Sequence, residues 1–304
     1  MQNLFTPKQV AKAIGVSESS LKRWCDQGVI QMAKTAGGHR RLPIQEVMRF
    51  LRESGHSIVD PGVLGLPSLS GQGERVVARS RLMFRDALVS GNEEIARRVL
   101  YDLYLSNIPL SQMIDQVFAA AFEDIGNAWE CGQIDIFEER LGCQIAQKVL
   151  FELTAAIPYG LPNAPLAMGG TCSGDQYTLA TICVEHVFRS LGWRATSLGT
   201  NIPFESLKLA LIRSKPKIFW ISASYIEDVD QFREGINSLY DLAESMGTAL
   251  LLGGRAVDLE LRKTLRYTAF ADSMQHLEAF AKTQYVPPQL AVPPGVSEGR
   301  VENE

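Results

Sequence analysis

The apolar positions of this chain change their spacing twice, and each change marks a different kind of structure. Over residues 6–53 they fall in short helical groups: Val10, Ala13 and Ile14 make one stripe, Leu21 and Trp24 a second that faces it, and residues 45–53 a third helix. Thr6-Pro7-Lys8-Gln9 starts the first helix, with Thr6 as cap, Pro7 at the first helical position and Gln9 closing a capping box. Gly15 supplies the turn and Ser17 caps the second helix. Over residues 75–157 the helical period is sustained, and Leu82, Leu88, Ile95, Val99, Leu103, Ile114, Val117, Ala121, Ile125, Ile145, Val149 and Leu153 are predicted to point inward. Breaks at Ser90-Gly91-Asn92, Asn107-Ile108-Pro109 and Cys131-Gly132 divide this stretch into four pieces, the pattern of a four-helix bundle. Short apolar runs at 165–170, 194–198, 217–223, 249–252 and 267–271 then alternate with helical stretches, which predicts five parallel strands in an open α/β sheet.

The segments between these regions complete the plan. SIVDPGVLGLPSLSGQGE, residues 57–74, is rich in Gly, Pro and Ser without a helical period and predicts a linker that tethers the head. The Pro-rich end, 284–304, is predicted to be disordered. This leaves a head at 1–56, a bundle at 75–160 and a sheet domain at 164–283. Charge separates them: the head carries nine Lys and Arg against four Asp and Glu, the remainder 21 against 30. A basic head on an acidic body assigns a nucleic-acid partner to the head alone. No run of eighteen apolar residues occurs and the start, MQNLFTPKQV, lacks the marks of a signal peptide, so the chain is expected in the cytoplasm without a membrane partner. The five cysteines show no CxxC pair, which argues against a zinc site or a disulfide framework. No Ser-His-Asp order, phosphate loop or paired metal ligands stands out, and no enzyme activity is expected.

Within the head, Ser19, Ser20, Lys22 and Arg23 are left on the outer face of the second helix. The segment VIQMAKTAGGHRRLP predicts two short strands joined at residues 35–38, with His39, Arg40 and Arg41 leaving the turn. Such a helix-turn-helix places its second helix in the DNA major groove. The ordered pieces VSESSLKRWCDQG and GGHRR resemble the MerR family of winged helix-turn-helix regulators over about the first 55 residues. The resemblance implies that Lys22, Arg23, His39, Arg40 and Arg41 meet DNA, the arginines largely through phosphates. The expected partner is a roughly palindromic double-stranded operator, bound by a homo-oligomer, dimer or tetramer.

The stretch PLAMGGTCSGDQYTLATICVEHVFRSLGW reads as strand, loop and helix, with its loop at the carboxyl edge of the sheet where ligands bind. It resembles the first cofactor loop of cobalamin-binding domains, Asp-x-His-x-x-Gly, but runs Asp175-Gln176-Tyr177-Thr178-Leu179-Ala180, without the His or the Gly. In the bundle, Trp129 followed by nine residues and Glu139-Arg140 resembles the cap of light-sensing MerR-type regulators, where the pair is Glu-His. Ser222-Ala223-Ser224 stands where such domains have Ser-x-Leu, and Gly253-Gly254 where a Gly pair lets the backbone approach the nucleotide tail. The resemblance implies a flavodoxin-like, or Rossmann-like, sheet and a pocket lined by Trp129, Glu139, Arg140, Asp175, Tyr177, Ser222, Gly253 and Gly254, with both axial histidines replaced.

In the family the Asp orients the His and the His ligates cobalt. Arg140 is a fixed cation that binds no metal, and a phenol with an ordinary pKa of about 10 stays protonated. His186 lies nine residues past Tyr177, about two and a half helical turns, and faces the other way. His39 and His56 belong to the head, and His276 to the last helix. No metal and no cofactor are expected, although cobalamin held base-on with its tail in place needs no protein ligand and stays open. The chain is expected to be a transcriptional regulator that works without cobalamin, or through another ligand or a protein partner. A corrinoid methyltransfer subunit would share bundle and sheet but needs the His and has no use for the head.

Overall fold

The computed structural model describes residues 4–35, 37–54, 56, 58–64, 74–106 and 108–288. Two compact units divide the chain, one within Met1–Ser68 and the other Leu69–Val286. The expectation for the tail falls almost wholly on residues 289–304, which lie outside the described residues.

In the head, β1 (Leu4–Phe5) leads into α1 (Pro7–Ile14), whose predicted capping box is present in full: Thr6 Oγ1 accepts from the Gln9 amide (3.2 Å), and Gln9 Oε1 accepts from the Thr6 amide (2.9 Å). Gly15, at φ +70°, turns the chain in the left-handed region that glycine enters without steric cost. α2 (Glu18–Asp26) follows, with Ser17 accepting from the Ser20 amide at 3.0 Å. β2 (Ala33–Lys34) and β3 (Arg40–Pro43) form the predicted hairpin, and α3 (Ile44–Ser54) closes the unit. β1 pairs with the free edge of β3, giving the order β1-β3-β2. Val10, Leu21, Ile30, Leu42, Val47 and Met48 are wholly buried. Part of the expected linker belongs to this unit. The amides of Val59 and Asp60 both donate to the Ala13 carbonyl, and Leu64, in a single 3₁₀ turn at Pro61–Leu64, is buried.

The second unit opens with the bundle: α4 (Glu74–Val89), α5 (Glu93–Leu105), α6 (Leu110–Met113), a π-helical stretch (Ile114–Ala119), α7 (Ala120–Glu130) and α8 (Ile136–Thr154). Ten of the twelve inward positions are buried, but Leu82 and Ile95 are 49% and 38% exposed. The α4 stripe runs through Val77, Ser80, Phe84, Ala87 and Leu88, so Leu82 falls on the opposite face. In α5 the inward face is carried by Ala96, Val99, Leu100 and Leu103, one position past Ile95. Arg97 donates to Glu93, Glu94 and Glu152 and ties α5 to α8. Asp102 is buried on α5, and burial raises its carboxyl to about 7.

The sheet half continues β4 (Leu166–Gly170), α9 (Thr178–Ser190), β5 (Arg194–Ser197), α10 (Phe204–Ser214), β6 (Ile218–Ser222), α11 (Val229–Ser245), β7 (Ala249–Gly253), α12 (Leu259–Arg262), β8 (Ala269–Ala271) and α13 (Met274–Gln284). All five strands are parallel in the order β5-β4-β6-β7-β8, the doubly wound arrangement expected. One side packs Phe219, Ile221, Leu250 and Leu252 against α10 and α11. α9 packs on the other side, where Phe188 stacks on Trp220. The bundle grips this half through several polar contacts, among them Ser111 Oγ donating to Glu278 on α13. His186 Nε2 lies 2.6 Å from Thr154 Oγ1, and the Asp115 carboxylate accepts from the amides of Met274 and Gln275 at 2.9 and 3.0 Å. Burial drives His186 down to about 3, so it stays neutral at ordinary pH.

Candidate functional site

The DNA-facing candidates sit on α2 and on the hairpin. Because Leu21 and Trp24 point inward, the residues beside them, Lys22 and Arg23, are exposed. Lys22 pairs with Glu18 one turn earlier at 2.7 Å. Ser19 Oγ and Ser20 Oγ each lie 2.9 Å from Ser17 Oγ, so both hydroxyls are drawn into the helix cap. In the hairpin, the Thr35 amide donates to His39 O (2.9 Å) and the Gly38 amide to Thr35 O (2.8 Å), leaving the His39 side chain exposed. Arg40 Nη2 donates to Asp26 Oδ1 at 2.7 Å, tying the hairpin to the last residue of α2. Arg41 Nη1 donates to the Arg40 carbonyl at 3.1 Å. Sequence reasoning missed Asp26, since nothing in a spacing of 14 residues signals the contact. It also missed the exposed Lys34, paired with Arg40 in the hairpin register.

At the carboxyl edge of the sheet the organising group is Asp175, wholly buried. Its Oδ1 accepts from the Tyr177 amide (2.9 Å), and its Oδ2 accepts from the amides of Ser224 (2.7 Å) and Tyr225 (3.4 Å). One carboxylate thus staples the loop after β4 to the loop after β6. Thr171 Oγ1 donates to Asp175 O and accepts from the Asn201 amide, and Asn201 Oδ1 accepts from the Gly174 amide. Tyr177 is the N-cap of α9 by backbone only, and its half-exposed ring lies 5.7 Å from the Arg255 guanidinium, a cation–π distance. Arg255 was also missed; it directly follows the Gly pair, and that adjacency was the available signal. Gly254, at φ +114°, lets the chain close on its neighbour: a Cβ there would come within 2.2 Å of Ala223 O. The close approach that the pair permits is to backbone.

Asp175, Tyr177, Ser222, Gly253 and Gly254 thus meet where three strands end. Trp129, Glu139 and Arg140 stay on the bundle. Trp129 is 47% exposed, Arg140 pairs with Glu139 at 3.3 Å, and Glu139 accepts from the Cys143 thiol at 3.3 Å. Among the described residues these three share no hydrogen bond, ion pair or ring contact with the crevice set. Burial pushes the Cys143 thiol up to about 12 and the Cys172 thiol to about 11, so neither is a nucleophile at neutral pH.

Comparison with known proteins follows the same division. The family described as "Helix-turn-helix domain" matches residues 4–55, and the family described as "B12 binding domain" matches residues 83–154, within the bundle. This chain joins a helix-turn-helix domain to a B12-binding-type domain. A relative, the HTH-type transcriptional repressor CarH of Myxococcus xanthus, is 23% identical over 264 residues, covering 81% of this chain and 87% of that protein. Among solved structures, the Methanosarcina barkeri monomethylamine corrinoid protein matches with a TM-score of 0.55 at 16% identity, covering 65% of this chain and 94% of that one. That likeness is one of fold. No helix among the described residues is long and apolar enough to cross a membrane.

Proposed function

We propose that the chain is a MerR-type transcriptional regulator that reads a two-fold symmetric DNA site as a dimer or tetramer, and whose B12-binding-type half works without cobalamin. The first part is supported by the intact order of capped α1, capped α2 and basic hairpin, with Lys22 and Arg23 offered to base edges and Arg40, Arg41 and Lys34 to phosphates. The second part rests on one observation. The position of the axial His holds Tyr177, and Asp175, which would orient that His, spends both oxygens on backbone amides. On the bundle, Arg140 is a cation paired with Glu139, with no lone pair for a metal. The residues present do not fit a cobalt ligand set. Nothing in the site calls for catalysis, and the chain acts by binding.

The test begins with selection of duplexes from a random library, from which a palindromic site is expected. Affinity for that site is then measured in darkness and light, with and without adenosylcobalamin, and four equal values are expected. A light-dependent change would overturn the cobalamin-free reading and favour base-on cobalamin; failure to enrich any palindrome would overturn the reading of the head.

A further inference from the structure

Ser222 and Gly253 are partners in the β6–β7 register and lie on the α9 side of the sheet, because Phe219, Ile221, Leu250 and Leu252 occupy the opposite side. A nucleotide tail passing this pair has to enter between α9 and that side of the sheet. Directly beneath Ser222 the space is taken by Trp220, which is 1% exposed. Its Nε1 donates to Thr181 Oγ1 (3.0 Å) at the end of the first turn of α9, and its ring stacks on Phe188 with centroids 5.6 Å apart. Gly169 on β4 makes room for the indole, since a Cβ there would come within 2.5 Å of the ring. Thr181 Oγ1 also lies 3.0 Å from Ser197 Oγ, which accepts from the Gly199 amide at 3.1 Å. Trp220 Nε1, Thr181 Oγ1 and Ser197 Oγ thus find their partners inside the protein. From Ser222 to Trp220 is two residues of strand, about 7 Å, shorter than a base with its ribose.

We infer that Trp220, Thr181 and Phe188 form a fixed plug that closes the tail slot, so that a corrinoid meets this chain only with its tail outside. The inference rests on the reading of the sheet half given above and deepens it: cofactor loss is built into the core of this half as well as into the position of Tyr177. Restoring the missing imidazole alone does not reopen the site.

The experiment uses full-length Tyr177→His and Tyr177→His/Trp220→Leu, the leucine keeping apolar packing in the wall. Each is titrated with aquacobalamin and with cobinamide, the corrinoid without the nucleotide tail. Visible spectra report whether the tail's own base or a protein imidazole is bound to cobalt. The expected result is that Tyr177→His prefers cobinamide, and that adding Trp220→Leu raises cobalamin affinity at least about tenfold, with the tail's base displaced and cobinamide binding unchanged. Equal cobalamin affinity in the two variants, or tail displacement in Tyr177→His with Trp220 in place, overturns the plug. Folding is checked by near-ultraviolet dichroism, and Thr181→Ala/Tyr177→His serves as a second opening variant with the same expectation. A light response of wild-type DNA binding would sink the cobalamin-free reading while leaving this cobalamin-to-cobinamide ratio measurable.

Discussion

In the head, the residues that hold the fold and those proposed to face a partner are different residues, standing side by side. Leu21 and Trp24 are buried; Lys22 and Arg23 between them are exposed. At the carboxyl edge of the sheet the proposed site residue is itself a fold-holding group: Asp175 stands in a loop that resembles a cofactor motif, and its oxygens hold three backbone amides. An exposed set reports its chemistry directly, because nothing else requires those side chains. A loop held by its own carboxylate keeps its shape whatever stands at the neighbouring position, so the persistence of the loop says little about the persistence of the ligand.

Acid and base titration probe the second unit most strongly. His186 is depressed to about 3, so its contribution is complete above its ordinary value near 6.5 and is lost as pH falls toward 3. Asp102 is raised to about 7, so its neutral form is free of penalty at low pH and stability is lost as pH rises from about 4 to 7. Each change amounts to roughly 4 kcal/mol across its window, with opposite sign. Urea unfolding of the wild type between pH 4 and 6.5 should therefore be nearly level. Asp102→Asn should expose a steep loss on acidification, and His186→Gln a loss on raising the pH. Level profiles in both variants would show that neither group is held in the wrong charge state.

Next in size, Asp175→Ala leaves the amides of Tyr177, Ser224 and Tyr225 without their acceptor, at about 1–3 kcal/mol each. The second unit should lose about 3 kcal/mol or more in denaturant unfolding, while DNA affinity of the head is unchanged. An unchanged midpoint would erase the contrast between the two regions. Arg23→Ala should relax sequence preference by about 1–3 kcal/mol at one base pair if the side chain makes a bidentate base contact, measured by competition among single-base variants of the selected site. Uniform weakening across all variants would move Arg23 to the phosphates. The smallest effect is expected for Arg41→Ala, which should lower the slope of log affinity against log salt by about one unit without altering preference.

The strands of the sheet were legible to within two residues because each is a compact apolar run bounded by helix signals, and both head caps were legible because capping uses fixed short spacings. β1 was not, since two residues carry no period. Leu82 and Ile95 were misplaced because apolar residues occur on exposed helix faces too, and counting by period cannot tell the faces apart. In the crevice, the replacement of His by Tyr177 was visible in the motif itself. The partners of Asp175 were not, lying 49 and 50 positions away. Trp220 falls within the apolar run 217–223, and only its register against Gly169 shows where the indole goes.

Asp115 lies in the π-helical stretch of the bundle, and the two amides it holds belong to α13, 159 and 160 positions further along the chain. Ser273 accepts from the third amide of that helix, His276, so the first turn of α13 is satisfied from two sources, one in the bundle and one just ahead of the helix itself. Contacts of such sequence separation slow folding, because the entropy of closing a long loop is lost before the contact is gained. Asp115 thus clasps α13 to the bundle, beside the Thr154–His186 contact that joins α8 to α9, and a chain cut short before Met274 would keep the second contact and lose the first.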